Sequence, residues 1–413
     1  MTPAHGFDPS ALAGLALILA VAKLGGEVFG RLGQPAVLGE LVGGIAVGGL
    51  ALFGLGGVEF LRSDAVIAAI AEIGVIVLLF EVGLESDLSE MLEVGRSSLL
   101  VALLGVAAPF ALGYWVARAL LPQEPALAHL FVGATLCATS VGITARVLKD
   151  AGKLRTREAR VILGAAVIDD VLGLLILAVV VGAVRASASG AALSGWDVAA
   201  VALKAVAFLA GAFLVGRYVV PRLFGALGRL ESGGTLLPLA LAFCFLLAWL
   251  ASVVGLAPIV GAFAAGLVLD EVHFESFNRR GERSLEDLLG PVSAVLAPVF
   301  FVLMGLKVDL RAFARADVLG LAAALTVAAI VGKQACSLGV LERGTKRWAV
   351  GLGMIPRGEV GLIFAGIGAT LVLPRPGLGE APVVAPATFG AIVVMVVVTT
   401  LVTPPALKRA LAG

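Results

Sequence analysis

The sequence predicts an all-α polytopic membrane protein with about thirteen transmembrane helices. Of its 413 residues, 60% are hydrophobic and 14% are charged, whereas a soluble domain is about 45–50% apolar and about 25% charged. The mean hydropathy is +1.07. The apolar residues fall into runs that approach the roughly 20 residues needed for one membrane-spanning helix. These observations exclude a soluble globular protein.

Each predicted span is an apolar run bounded by charged or turn-forming residues. The odd number of runs places the two termini on opposite sides of the membrane. In chain order the runs are Ser10–Gly30, Ala36–Gly54, Asp64–Leu84, Ser97–Leu120, Leu127–Leu148, Ala159–Val184, Val198–Val220, Leu236–Val254, Pro258–Val272, Pro291–Leu306, Asp317–Leu338, Arg347–Leu373 and Val384–Leu407.

The distribution of lysine and arginine between the spans predicts the orientation of the chain. With the N-terminus outside, 19 of the 30 basic residues fall in cytoplasmic segments and 7 in external ones. Basic residues are enriched on the cytoplasmic side of membrane proteins. We therefore expect a multi-pass protein of the cell (inner) membrane, with its N-terminus outside and its C-terminus in the cytoplasm.

Charge and motif content exclude several partners and cofactors. The net charge of +1 gives no indication of a nucleic-acid partner. The sequence contains neither a phosphate-binding glycine loop nor a dinucleotide fingerprint, so we expect no cofactor and no nucleotide-binding regulatory domain. Its three cysteines lie in apolar runs and indicate no disulfide framework. The expected partner is membrane lipid.

Two adjacent carboxylates, Asp169 and Asp170, lie near the middle of the sixth predicted span. An ionisable residue at that depth is costly and usually faces a bundle interior or a water-filled pathway. A carboxylate held away from water can be neutralised by either a proton or a small cation. That competition is the chemistry of an exchanger. The alternative is a purely structural pair neutralised by a neighbouring helix.

Lys333 is a single basic residue deep in the eleventh predicted span. A buried ammonium group requires a carboxylate partner, and Asp169 and Asp170 are the candidates at the same depth. The alternative is that Lys333 extends its side chain to the inner surface of the membrane.

Two predicted spans contain features that interrupt a helix. The fifth carries a run of small and hydroxylated residues at 134–144, and the twelfth carries Pro356 among glycines at 351–361. Irregular backbone inside a membrane is tolerated where it lines protein or a cavity. Spans four to six and eleven to thirteen would each consist of a span, a broken span and a span. Their offset of seven is odd, so the two units form an inverted repeat, which is typical of transporters.

Four motifs in this order resemble those of the second family of monovalent cation/proton antiporters, and specifically its NapA-type members. They are Ala138-Thr-Ser-Val-Gly-Ile-Thr-Ala-Arg146, Gly164-Ala-Ala-Val-Ile-Asp-Asp-Val-Leu-Gly-Leu174, Gly255-Leu-Ala-Pro-Ile-Val-Gly-Ala-Phe263 and Pro356-Arg-Gly-Glu-Val-Gly-Leu-Ile363. The resemblance covers essentially the whole chain. It implies an NhaA/NapA-like fold with inverted repeats and two broken crossing helices, assembled as a homodimer.

The resemblance also implies roles for individual residues. Asp170 corresponds to the aspartate that carries Na⁺ or the proton, and Asp169 to the one that pairs with Lys333. Thr139 lies in the unwound stretch that contacts the ion. The remaining charges and neighbours at the two interruptions are expected to stabilise the crossing. These are Ser140, Pro356, Arg357 and Glu359.

The implied protomer has a core domain that moves against a dimerisation domain in an elevator-like manner. Residues 1–95 would belong mainly to the dimerisation domain, 96–186 to the first half of the core, 187–306 to linking and dimerisation helices, and 307–413 to the second half of the core. The resemblance implies a secondary active antiporter that exports Na⁺ or Li⁺ in exchange for protons. Potassium/proton exchange by the same fold is the alternative.

Three further points bear on function. The two aspartates with a lysine resemble the electrogenic branch, which exchanges two protons for one sodium. Glu81 departs from the family pattern, in which an apolar residue, often methionine, is expected.

A channel would require a continuous polar pore or filter, and an intramembrane aspartyl protease would require aspartates on two separate helices. The adjacent pair Asp169 and Asp170 therefore does not favour an enzyme.

Overall fold

The computed structural model describes residues 9–50, 60–85, 95–150, 152–153, 155–188, 195–222, 235–269, 284–375 and 379–412. These residues form a nearly all-helical protein, as predicted. The helices are α1 (Ser10–Arg31), α2 (Ala36–Gly49), α3 (Ala65–Glu85), α4 (Arg96–Leu120), α5 (Ala126–Thr135), α6 (Val141–Asp150), α7 (Arg157–Ala188), α8 (Gly195–Tyr218), α9 (Leu236–Val253), α10 (Pro258–Val268), α11 (Leu285–Leu306), α12 (Ala316–Ala335), α13 (Arg347–Gly353), α14 (Glu359–Thr370) and α15 (Pro386–Ala412).

Within these described ranges, nine helices are long and apolar enough to cross a membrane. Every predicted span overlaps one of the helices or, for the fifth and twelfth spans, a pair of short helices. The predicted ends of the second and ninth spans, at Gly54 and Val272, lie outside the described residues. The order of span, broken span and span is present twice, in α4 to α7 and in α12 to α15.

The prediction that the twelfth span continues as a helix to Leu373 is wrong. Helix α14 ends at Thr370, and strand β1 (Val372–Arg375) pairs antiparallel with β2 (Gly379–Pro382). Pro374 lacks the N–H group that a helix requires, and Gly379 adopts a positive φ of 74° at the start of β2. The segment that follows β2 is bonded back to α14, since the Val384 N–H donates to the carbonyl of Gly368 at 2.9 Å.

The helices pack in two groups. The first group contains α1, α2, α3, α9, α10 and α11, and the second contains α4 to α7 and α12 to α15. Helix α8 packs against α7 of the second group and against α10 of the first. Direct contact between the groups includes α11 with α14, where a Cβ at Gly366 would lie 2.9 Å from the Met304 sulfur.

Glycines bring the backbones within the first group into direct contact. A Cβ at Gly39 in α2 would lie 2.0 Å from the Gly25 carbonyl oxygen in α1, and a Cβ at Gly305 in α11 would lie 2.2 Å from the Leu41 carbonyl oxygen. A Cβ at Gly266 in α10 meets the Phe80 carbonyl oxygen at 2.2 Å. Small residues permit such close approach in membrane helices, whose association depends on van der Waals packing. The first group is therefore joined by backbone contacts that leave no space for a side chain.

We predict that Gly39→Ala destabilises the protein, because α1 and α2 must separate to accommodate the new methyl group. The expected loss is about 1–3 kcal/mol, measured as a lower melting temperature of the purified protein in detergent. Gly30→Ala on α1 is the matched control, since nothing lies within 4 Å of its added Cβ. Equal melting temperatures for the two variants would contradict the packing described here.

Candidate functional site

The two predicted interruptions are present in the structure. The first separates α5 from α6 at residues 136–140, and the second separates α13 from α14 at residues 354–358. Each break exposes the unpaired carbonyl groups of one half-helix and the unpaired N–H groups of the next. Because these ends lie in the protein interior, their hydrogen bonds must be satisfied there.

The two interruptions supply hydrogen bonds to each other. The Ser140 N–H donates to the Pro356 carbonyl at 2.9 Å, and the Thr139 hydroxyl donates to the Met354 carbonyl at 3.4 Å. A Cβ at Gly358 would lie 2.5 Å from the Ser140 hydroxyl oxygen. The absence of a side chain at position 358 therefore allows the two segments to cross this closely.

Arg357 joins the crossing from the opposite direction. Its side chain is completely buried, and its guanidinium donates to the carbonyls of Ala138 and Cys137 in the first interruption. A further hydrogen bond reaches the Ala329 carbonyl of α12 at 3.5 Å. The Cys137 and Ala138 carbonyls lie beyond the C-terminal end of α5, where the helix dipole is negative. Backbone carbonyls thus supply the hydrogen-bond acceptors for a buried arginine.

Lys333 and Asp169 form a buried ion pair between α12 and α7. The Lys333 Nζ atom lies 2.7 Å from Asp169 Oδ1, and both side chains are fully enclosed. Of the two carboxylates that the sequence left open as partners, the structure places Asp169 against the lysine. The alternative in which Lys333 reaches the membrane surface is wrong, because its ammonium group lies in the interior beside Asp169.

Helix α4 borders the ion pair at a position without a side chain. A Cβ at Gly105 would lie 3.7 Å from both Asp169 Oδ1 and Lys333 Nζ. The Cys336 side chain is adjacent, with its Cβ 3.5 Å from the same point. Asp169 Oδ2 accepts no hydrogen bond within the part of the chain that the structure describes. The ion pair is therefore bordered by Gly105 and Cys336.

Asp170 follows Asp169 on α7 and retains 8% exposure. Consecutive helical residues point about 100° apart, so the two carboxylates face different surroundings. Asp169 is in direct contact with Lys333, whereas Asp170 has a small exposed fraction. The sequence alone could not assign these two environments.

The structure brings together most of the predicted site residues. Thr139, Ser140, Pro356 and Arg357 meet at the crossing, and Asp169 meets Lys333 beside it. Glu359 begins α14, and its side chain lies outside the described part of the protein. The described residues contain no cluster of three or more histidine, cysteine, aspartate or glutamate side chains that could hold a metal ion.

Two threonines that the sequence analysis did not select also hold the crossing. The Thr144 hydroxyl donates to the Gly353 carbonyl at 2.6 Å, and the Thr400 hydroxyl of α15 donates to the Arg357 carbonyl. Thr144 lies in the hydroxyl-rich run of the fifth span, which was a usable signal. The sequence contains no corresponding signal for Thr400, because its role depends on how α15 packs.

Comparison with known proteins gives relatives over nearly the full chain. A cyanobacterial protein described as the high-affinity Na⁺/H⁺ antiporter NhaS3, from Synechocystis, is 38% identical, covering 98% of this chain and 91% of its own. The Bacillus cereus protein described as the Na⁺/H⁺-K⁺ antiporter GerN is 36% identical, covering 95% of this chain and 94% of its own.

The fold is shared with a solved structure. The sodium proton antiporter MjNhaP1 from Methanocaldococcus jannaschii matches with a TM-score of 0.72 at 16% identity, covering 98% of this chain and 97% of its own. At that identity the likeness concerns the fold alone. The family model described as the transmembrane sodium/hydrogen exchanger matches residues 16–412. The chain therefore belongs to the sodium/hydrogen exchanger family of multi-pass membrane transporters.

Proposed function

We propose that the chain is a secondary active antiporter that exports Na⁺, and also Li⁺, in exchange for protons. The observation that carries this proposal is the pair of adjacent carboxylates in two different environments: Asp169 against Lys333, and Asp170 with residual exposure. An exchanger needs one carboxylate that a cation and a proton occupy in turn. Asp170 is the residue we assign to that role, with Thr139 contributing from the adjacent interruption.

In the proposed cycle, Asp170 binds Na⁺ when the site faces the cytoplasm and releases it outside when it is protonated. Lys333 supplies a second proton as Asp169 alternately leaves and rejoins it. The net movement of one charge per cycle would make the exchange electrogenic. A membrane potential of about 100 mV would then contribute about 2.3 kcal/mol to each cycle. The two aspartates and the lysine are the basis for placing the chain among NapA-type members of the family.

The two packing groups of helices are the physical basis for the proposed motion. The group containing Asp170 and Lys333 would be the core domain, and the group joined through glycine contacts would be the dimerisation domain of a homodimer. Where α11 and α14 meet, Phe300 and Met304 side chains approach Gly366, and such a side-chain contact can slide more readily than interlocked backbones. We propose elevator-like movement where the two groups meet. We also propose that the domains have the residue ranges predicted from the sequence and that the N-terminus lies outside.

Potassium/proton exchange is the second candidate function. The relative GerN, at 36% identity, is described as a Na⁺/H⁺-K⁺ antiporter. The carboxylate chemistry at Asp170 serves either cation, because both are bound by oxygen ligands. Selectivity then depends on the size of the site and on the water that the ion retains.

We predict that Asp170→Asn abolishes cation-dependent proton movement, because an amide cannot alternate between a proton and a cation. The measurement is internal pH of proteoliposomes with an imposed proton gradient, after addition of Na⁺, Li⁺ or K⁺. The control is Glu380→Gln, which removes an exposed carboxylate of the hairpin. Activity with K⁺ alone would select the second candidate, and full activity of folded Asp170→Asn would exclude this carboxylate as the ion carrier.

We predict that Lys333→Gln removes the voltage dependence of the exchange, because one proton per cycle would be lost. The measurement is the current across a solid-supported membrane, compared with the pH change in the same proteoliposomes. The variant also leaves Asp169 buried without its cation, and breaking such a pair costs about 3–5 kcal/mol. Asp169→Asn with Lys333→Gln should restore part of that stability. Undiminished current in the single variant would contradict the role of Lys333.

We predict that Arg357→Met destabilises the crossing, because three backbone carbonyls would lose their guanidinium donor. Each buried polar group left unsatisfied costs about 1–3 kcal/mol, so the melting temperature should fall markedly. Arg315→Met is the control, since its pair with Asp317 is 63% and 65% exposed and exposed pairs contribute little to stability. A similar melting temperature for the two variants would show that the carbonyl contacts contribute little.

A further inference from the structure

Two side-chain atoms of opposite charge in the second packing group have no hydrogen-bond partner among the described residues. They are Asp169 Oδ2 and Arg357 Nε, and each belongs to a side chain with no exposed surface. Asp169 binds Lys333 through its other oxygen, and Arg357 binds backbone carbonyls through its other two nitrogens. Buried polar atoms are normally paired, so an unpaired acceptor and an unpaired donor in one interior require an explanation.

Helix α12 connects Arg357 to the ion pair. The Arg357 Nη2 atom donates to the Ala329 carbonyl at 3.5 Å. In an α-helix the carbonyl of residue i accepts from the N–H of residue i+4, so the same carbonyl accepts from the Lys333 N–H. Helical side chains tilt toward the N-terminus of their helix, which directs the Lys333 side chain back over this turn. The guanidinium therefore lies against the turn of α12 that carries the lysine.

The first interruption and α4 form a second connection. The Cys137 carbonyl accepts from Arg357 at 3.4 Å, and the Cys137 thiol donates to the Val106 carbonyl of α4 at 3.6 Å. The neighbouring Gly105 borders both members of the ion pair. Of the ionisable groups that act on the guanidinium, Asp169 has the largest Coulomb interaction with it. Arg357 and the ion pair thus belong to one buried cluster.

The three fully buried charges of this cluster do not cancel while Lys333 is protonated. Lys333 and Arg357 each carry one positive charge and Asp169 carries one negative charge, which leaves one excess positive charge. An arginine keeps its charge in proteins, whereas a buried lysine can lose its proton. Loss of the Lys333 proton leaves the charges of Asp169 and Arg357, which balance each other. The cluster is therefore neutral in the state in which the lysine has released its proton.

We propose that Arg357 is a second partner of Asp169, binding Oδ2 through Nε when Lys333 releases its proton. The role in transport rests on the proposed exchange, in which Lys333 supplies a second proton. An isolated charge in the membrane interior is costly, so Asp169 needs another cation when it leaves the lysine. Arg357 is a positioning residue, because it acts on the exchange through Asp169 and Lys333.

The test is a double-mutant cycle in protein that carries Lys333→Gln, where the lysine no longer competes for the carboxylate. Melting temperatures are measured in detergent for Lys333→Gln, for its combinations with Arg357→Gln and with Asp169→Asn, and for the protein with all three changes. Bonds from position 357 to backbone carbonyls change equally in both arms, so their contribution cancels. We expect Arg357→Gln to lower the melting temperature by at least about 4 °C more when Asp169 is present than when it is replaced.

Arg185→Gln is the matched control, because Arg185 also donates to a backbone carbonyl, that of Leu256 at 3.0 Å. Its effect on the melting temperature should be the same with Asp169 and with Asp169→Asn. A combination too unstable to purify is compared by the yield of folded protein in detergent extracts, where Asp169→Asn should rescue Lys333→Gln with Arg357→Gln. Equal losses in both arms of the cycle, or no rescue, would overturn the proposal.

A transport measurement separates this proposal from the proposed exchange. In proteoliposomes, Arg357→Lys keeps the charge beside Asp169 and should retain voltage-dependent exchange, whereas Arg357→Gln should lower the current by roughly tenfold or more. Equal currents for the two variants would exclude a part for Arg357 in the cycle. Absence of a cation-dependent current in unmodified protein would instead refute the exchange, and the melting temperatures would still decide whether Arg357 pairs with Asp169.

Discussion

The cost of holding charge away from water is the constraint on which the rest of this structure depends. Lys333, Asp169 and Arg357 are fully buried, and that cost is met in two different ways. The lysine and the aspartate neutralise each other across two helices, whereas the arginine binds carbonyls that only an interrupted helix can offer. The interruptions are therefore part of the charge balance. A continuous fifth span would leave Arg357 with the Ala329 carbonyl of α12 as its remaining acceptor.

The same constraint explains why the two groups of helices differ in their packing. The group that holds the buried charges is joined by hydrogen bonds between side chains and backbone, such as those of Thr144 and Thr400. The other group is joined by glycines that let backbones touch. The backbone contacts at glycine hold the first group together but bring no charged side chains into contact. The polar crossing is built from charged and hydroxyl-bearing side chains, and it depends on every hydrogen-bond partner being present.

Sequence reasoning predicted the helical fold and the position of both interruptions, because apolar run length and the Pro356 region act locally. Reasoning from the residues reduced the partner of Lys333 to two aspartates, and only the family resemblance pointed to Asp169. Adjacent helical residues differ by about 100° in direction, and only the packing of α12 on α7 decides which one faces the lysine. The hairpin after Thr370 was missed because β1 begins with Val372 and Leu373, which continue the apolar run of the span before them. The carbonyl partners of Arg357 could not be predicted, since they exist only once the two backbones cross.

The long sequence separation across the site has a consequence for how the protein is made. Asp169 and Lys333 are 164 residues apart, and Arg357 follows its carbonyl partner Ala138 by 219 residues. At a synthesis rate of about 5–20 residues per second, the buried aspartate waits roughly 10–30 s for its lysine to emerge. During that interval the nascent chain holds α7 with its carboxylates uncompensated. Biogenesis therefore includes a period in which these carboxylates must remain hydrated or protonated, and assembly of the native bundle waits for the last helices to leave the ribosome.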